Sequence, residues 1–139
     1  MGGNGKPIRI TGKETAVSLD PVTGRIRVSH KDAEWAWASD YEPGFFTAKG
    51  NRLLFSDALE QEHTRRETGL GQEIVSRYSG FPGEREIVFE TRIWMEEASG
   101  ALHLEFLPIA GRERIARVCW PGPMAFDEAR ADWQTILPL

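Results

Sequence analysis

The sequence predicts an all-β protein built as an antiparallel β-sandwich, with at most one or two short helical turns. Two observations support this: short runs alternate apolar and polar residues with a period of two, and turn residues separate those runs at fairly regular spacing. The chain has 139 residues, of which 40% are hydrophobic and 27% charged, values typical of a globular protein. We expect a flexible segment over residues 1–11 and a single sandwich domain over residues 12–139.

The clearest element is a hairpin formed by residues 15–20 and 25–30 around a turn that contains Pro21 and Gly24. Proline presets the backbone at the first corner, and glycine adopts the left-handed conformation that follows. Because side chains alternate along a strand, the predicted register places Ile26 and Val28 on one face and the neighbouring arginines on the other.

Further strand-like runs lie between Pro and Gly turns. They cover residues 34–37, 52–55, 73–78, 86–95, 102–107, 115–120 and 132–137. Residues 56–62 and 127–131 contain helix formers, but residues 59–67 fit a solvent-facing strand or a long loop equally well. The apolar run at the end of the chain suggests that the natural protein continues or that a partner covers this end.

Composition excludes several classes of function. The net charge of −4 indicates no excess of basic residues of the kind that binds nucleic acid. No apolar run approaches the roughly 18 residues of a membrane span. No signal peptide precedes the domain, so we expect cytoplasmic residence, or secretion if a signal has been removed. The single cysteine, Cys119, lies in a strand-like run and is predicted to be a buried thiol.

No cofactor or metal site is expected. His30, His63 and His103 are widely spaced, and there is no cysteine pair. Residues 68–73 superficially resemble a phosphate-binding loop, but they lack the third glycine and a following helix. We therefore interpret them as a flexible turn that enters a strand.

Aromatic side chains give the candidate carbohydrate-binding site. Trp35 and Trp37 lie two residues apart, a spacing that puts both indoles on one face of a strand. On an exposed face they would form a platform for a sugar ring, with Asp40 and Tyr41 as hydrogen-bonding neighbours and Arg77 as a further candidate. The alternative is that both indoles fill the core, as alternating large residues on a strand usually do.

Catalytic residues are not apparent. Glycoside hydrolysis needs two carboxylates on either side of the scissile bond, and nothing in the sequence singles out a pair among the 21 acidic residues. Mutarotase-type sugar epimerases use histidines and a glutamate for proton transfer. A standalone enzyme of that kind, using His30, His63 or His103, therefore remains an alternative.

Four segments together carry a family resemblance: residues 68–74, 86–95, 102–107 and 118–123. They resemble the N-terminal β-sandwich domains of large glycoside hydrolases, in the galactose-mutarotase-like supersandwich class. The resemblance implies a domain that packs on a downstream catalytic barrel, helps to shape the substrate cleft and leaves the catalytic carboxylates to that barrel. This chain ends before a barrel could begin and is short for a complete supersandwich, so we expect no catalysis by this chain alone.

Two further possibilities are carried forward. A chain of this size in eight to ten antiparallel strands also fits a small closed barrel that holds an apolar or aromatic ligand (roughly eight strands suffice). An exposed sheet edge would also allow two copies to form a homodimer, because unpaired backbone groups recruit strands.

Overall fold

The computed structural model describes residues 6–12, 15–30, 33–36, 42–99, 101–120 and 133–137, with side chains for all of these except residues 30, 33–36 and 133–137. Within these ranges the chain forms twelve strands and no α-helix, which confirms the predicted all-β class. The strands are β1 (Ile8–Thr11), β2 (Thr15–Leu19), β3 (Ile26–His30), β4 (Ala33–Ala36), β5 (Gly44–Thr47), β6 (Arg52–Leu54), β7 (Glu60–Thr68), β8 (Gly71–Ser79), β9 (Val88–Met95), β10 (Leu102–Ala110), β11 (Ile115–Cys119) and β12 (Trp133–Leu137).

The strands form three antiparallel sheets. Their orders are β1-β2-β3-β4, β12-β10-β9-β8-β7 and β11-β5-β6. We call the five-stranded sheet the large sheet. Both smaller sheets contact its inner face: Phe45 of β5 meets the ring of Phe89 on β9 edge-on at 5.6 Å, and the amide of Thr11 in β1 donates to Gln72 Oε1 on β8 at 2.8 Å. The architecture is therefore a sandwich.

The predicted hairpin is confirmed. β2 and β3 pair with Leu19 opposite Ile26, and both side chains are buried in the core. Gly24 has a φ of +84°, and its amide donates to the Asp20 carbonyl at 2.8 Å. The Asp20 carboxylate also accepts from the amide of Val22 at 2.8 Å, a side-chain contribution to the turn that the sequence analysis did not single out.

Three segments differ from the sequence predictions or resolve an alternative left open there. Residues 8–11 lie in the segment expected to be flexible, yet they form β1, whose Ile10 is fully buried. Within the candidate helix over residues 56–62, a 3₁₀ turn covers Phe55–Asp57, and β7 follows it as a strand paired with β8 over its whole length. The strand alternative for residues 59–67 is thus correct, because pairing with β8 supplies the stabilisation that an amphipathic helix would have needed. The other candidate helix, residues 127–131, lies outside the described residues.

The core is centred on Phe89. Among the side chains that the structure describes, five aromatic rings lie around it with centroid distances of 4.7 to 5.6 Å: those of Phe45, Phe55, Tyr78, Phe81 and Phe106. These rings come from several strands and from the connections between them. The Phe89 side chain therefore packs against residues of both the large sheet and the layer above it. Cys119 is a free thiol and is buried, as predicted.

We expect Phe89→Ala to lower the free energy of unfolding by about 3–5 kcal/mol, because the truncation leaves a cavity among rings that cannot all collapse into it. Urea unfolding of both proteins would measure the loss. Phe46→Ala is the matched control: Phe46 is only half-buried, under the guanidinium of Arg117. An equal loss in the two variants would contradict the central role of Phe89.

Candidate functional site

The structure describes the candidate carbohydrate site only in part. Trp35 lies in the edge strand β4, where its backbone pairs with Val28. Its side chain, together with all of Trp37, Asp40 and Tyr41, lies outside the described residues. Arg77 lies on β8 in the large sheet, whereas Trp35 lies in the four-stranded sheet. The structure therefore places these two candidates in different sheets, and the platform itself stays a prediction.

Arg77 belongs to the outer face of the large sheet, which is rich in charge. That face carries Glu62, Thr64, Arg66, Glu73, Val75, Arg77, Glu90, Arg92, Trp94, His103 and Glu105. Arg77 Nη1 lies 3.3 Å from Glu90 Oε2, and the Arg77 side chain is 45% exposed. An ion pair this open to solvent contributes little to stability, about 1 kcal/mol at most.

Glu73 is the centre of a partly buried network of ion pairs on this face. Its side chain is only 1% exposed, and its two oxygens accept from Arg66 and Arg92 at 3.1 to 3.3 Å. Arg92 Nη1 also donates to Glu105 Oε1 at 3.2 Å. A buried carboxylate is tolerated because two guanidinium groups neutralise it and fill its hydrogen-bonding positions.

Two aromatic rings adjoin this network. Trp94 and His103 stack with centroids 4.0 Å apart and planes 12° from parallel, and the Arg92 guanidinium lies 5.5 Å from the Trp94 ring centroid. The ring nitrogens of His103 are shielded from solvent and have no hydrogen-bond partner among the described residues. One face of each ring is therefore occupied by the other, which leaves less aromatic surface for a ligand.

His63 lies on the opposite, inner face of the large sheet. Its Nδ1 is 2.7 Å from Ser76 Oγ and its Nε2 is 3.1 Å from Gln61 Oε1. Burial lowers the pKa of His63 below its ordinary value of 6.5, while a hydrogen bond with the backbone of Pro21 acts in the other direction. His63 and His103 face opposite sides of the sheet, so the structure does not bring these two imidazoles together.

A polar cleft of about 110 Å³ lies at one end of the sandwich. It is lined by Thr11, Gly12, Glu67, Thr68, Gly71, Gln72, Met95 and Glu97, a set that contains two carboxylates and no cation. The cleft lies between the two layers: Gln72 on β8 accepts a hydrogen bond from the amide of Thr11 on β1. The Thr68 hydroxyl accepts from the amide of Leu70 in the adjoining turn. Hydroxyl-rich or cationic groups are the chemistry that such a lining accepts.

The turn beside this cleft is the one that superficially resembles a phosphate loop. The Thr68 hydroxyl accepts from the amides of Leu70 and Gly71 at 3.1 and 3.2 Å. Gly71 has a φ of +152°, and a Cβ there would collide with the carbonyl oxygen of Met95. Residues 68–71 therefore form a tight turn between two strands, and their glycine serves a close backbone approach.

Two kinds of feature are absent from the described residues. Within the described ranges, no three His, Cys, Asp or Glu side chains cluster as a metal site would require. In the same part of the chain, no helix has the length and apolar character needed to cross a membrane.

Comparison with known proteins finds similarity among the solved structures. No protein-family model matches the chain, and no curated protein does. Solved structures of the α-N-acetylgalactosaminidase NagBb from Bifidobacterium bifidum do match. Its GalNAc complex has 33% sequence identity to this chain and a TM-score of 0.75, and its ligand-free form has 33% identity and a TM-score of 0.73. A quadruple mutant of the same enzyme has 32% identity and a TM-score of 0.74. Each match covers 83% of this chain and 18% of that chain. The chain thus spans less than a fifth of the enzyme it matches, and it is similar to one part of a large glycoside hydrolase.

We expect Glu73→Gln to lower the free energy of unfolding by about 1–3 kcal/mol, because the amide keeps the shape but removes the charge that two arginines require. Chemical denaturation at pH 7 would measure this. Arg66→Ala should cost less than about 1 kcal/mol, since the Arg66 side chain is 62% exposed. A larger loss from Arg66→Ala than from Glu73→Gln would contradict the assignment of Glu73 as the centre of the network.

His63 should make stability depend on pH. Its pKa is lower in the folded protein than in the unfolded chain, so the unfolded chain binds the proton more readily. This contribution is complete above pH 6.5 and is lost as the pH falls below that value toward the folded pKa. The melting temperature should therefore fall less between pH 7.5 and 5.5 in His63→Gln than in the unmodified protein. Parallel pH profiles for the two proteins would contradict this assignment.

Proposed function

We propose that this chain is a non-catalytic accessory domain of a glycoside hydrolase, which packs on a catalytic domain of the same protein and contacts the glycan substrate. The observation that carries the proposal is the match to part of one glycoside hydrolase over 83% of this chain at 33% identity. Such a match pairs nearly the whole sandwich with a minor part of a much larger enzyme.

The name of the matched enzyme supports a substrate class. NagBb is described as an α-N-acetylgalactosaminidase. We therefore propose that the parent protein of this chain acts on glycans with α-linked N-acetylgalactosamine. The two-layer antiparallel sandwich also supports the proposed membership of the galactose-mutarotase-like supersandwich class.

The arrangement of titratable groups supports a non-catalytic role. Glycoside hydrolysis uses two carboxylates that face the same glycosidic bond. On the outer face of the large sheet, Glu73, Glu90 and Glu105 are each held by an arginine. His63 and His103 lie on opposite faces, which argues against the epimerase alternative because general acid and base must reach one substrate.

The packing of the interior does not favour the apolar-ligand alternative. Aromatic rings at 4.7 to 5.6 Å from Phe89 fill the space between the described sheets. For glycan contact we propose Trp35 and Trp37, with Asp40 and Tyr41 as polar neighbours. Arg77 lies in a different sheet and already has an ion-pair partner, so the proposed contact does not depend on it.

Calorimetric titration with N-acetylgalactosamine and with a peptide bearing this sugar on a serine tests the glycan contact. Trp35→Ala and Trp37→Ala should each weaken binding by about tenfold, the loss of roughly one aromatic stacking contact. Trp94→Ala is the matched control because the Trp94 ring stacks on His103. Equal weakening by all three substitutions would contradict the proposed contact.

A second assay tests the non-catalytic role. The chain alone should not hydrolyse a nitrophenyl α-N-acetylgalactosaminide, since the proposed catalytic carboxylates belong to another domain. Release of nitrophenol by the purified chain, lost on substitution of any of its own acidic residues, would overturn this part of the proposal.

A further inference from the structure

We propose that β7 is a self-association edge: it pairs with β7 of a second copy of this chain in an antiparallel register centred on Thr64. The two large sheets then form one continuous ten-stranded sheet. This inference goes beyond the accessory role, because it concerns a surface on which the proposed glycan contact does not depend.

The first observation is that β7 is an open edge. It lies at the end of the order of the large sheet and pairs on one side with β8, in an unbroken register from Glu60 opposite Ser79 to Thr68 opposite Gly71. No other strand among the described ranges pairs with its free side. Its residues from Thr64 to Thr68 are all exposed.

The second observation is that β7 lacks several usual features that block edge pairing. It has nine residues, it contains neither proline nor glycine, and no bulge interrupts it. Its charged side chains are the main feature that opposes edge pairing. They prevent pairing only when the approaching strand does not carry opposite charges at the matching positions. The sequence of charges along β7 therefore decides which strand can pair with it.

Symmetry limits the registers in which β7 can meet its own copy. In a continuous sheet, directly opposed residues point to the same face, so the paired positions must both be even or both be odd. The two-fold axis then lies midway between the two copies of a single residue of β7, and we call this an axis through that residue. Only the axis through Thr64 pairs all nine residues, from Glu60 opposite Thr68 to Thr68 opposite Glu60.

Charge selects the same register. An axis through Thr64 places Glu62 opposite Arg66 of the second copy, and by symmetry this ion pair occurs twice. An axis through Glu62, Arg65 or Arg66 would place identical charges opposite each other. An axis through His63 pairs only residues 60–66 and leaves the last two residues of the strand unpaired.

Arg66 retains the capacity for this second contact. Its Nε and Nη2 donate to Glu73, while its Nη1 has no hydrogen-bond partner among the described residues. The side chain is 62% exposed. Because a guanidinium carries donors on three nitrogens, Arg66 can donate to Glu73 within its own sheet and to the Glu62 carboxylate of the second copy at the same time.

Cysteine cross-linking tests the register. In the proposed pairing, the two copies of residue 64 face each other with Cα atoms roughly 5 Å apart, within the range of a disulfide. Residue 60 of one copy lies eight positions from residue 60 of the other, about 26 Å away. Thr64→Cys should therefore form a disulfide-linked dimer under mild oxidation, and Glu60→Cys should not. The native Cys119 is buried and is common to both variants.

Sedimentation of the unmodified chain and of Glu62→Arg tests the association itself. The unmodified chain should dimerise, and Glu62→Arg should weaken dimerisation at least tenfold by placing arginines opposite each other twice. Glu97→Arg, a charge reversal at an exposed residue outside β7, should leave the dimer unchanged. Melting temperatures would show that all variants are folded.

Three results would overturn the proposal: an unmodified chain that stays monomeric at all concentrations, equal cross-linking of the two cysteine variants, or a dimer that persists in Glu62→Arg. None of these results bears on the accessory role, which the sugar titration and the hydrolysis assay test separately.

Discussion

The packing of aromatic rings around Phe89 is the constraint on which the rest of the structure depends. Phe89 lies on β9, the middle strand of the large sheet, and its ring touches Phe45 from the opposite layer and Phe106 from the neighbouring strand. Once Phe89 faces inward, the period of two fixes the direction of every other residue on β9. A slip of one residue would exchange the apolar and charged faces of the strand, so this packing also fixes the register of its neighbours.

The charged outer face follows from that register. Residues that alternate with the core positions must point away from it, and on β7, β8 and β9 these residues include arginines and glutamates that lie opposite one another across the strands. Glu73 is buried on this face because Arg66 and Arg92 lie on both sides of it across the strands. The charges here largely satisfy one another, so this face is better suited to a rigid support than to a reactive site.

Sites for partners are consequently expected at the margins of the sheets. β4, which carries Trp35, and β7 are both edge strands, one in each layer. The match to a minor part of a glycoside hydrolase fits a domain of this kind, whose core is self-contained and whose edges and ends remain for a substrate, a catalytic domain or a second copy. Glycan contact by way of β4 and self-pairing by way of β7 involve different sheets, so the two proposals are compatible.

Features that depend on neighbours along the chain could be predicted from the sequence. Alternation predicted that Ile26 and Val28 share one face of a strand, and both are buried. Pro21 and Gly24 predicted the hairpin, and a strand-like run predicted the burial of Cys119. The folded chain was needed to establish the order of the strands, the inclusion of β1 in a sheet, the strand conformation of the polar β7, and the burial of Glu73. These features depend on partners that are distant along the chain: Gln72 is 61 residues from Thr11, and Arg92 is 19 residues from Glu73. A local pattern specifies which way a side chain points, but sheet order specifies what it meets.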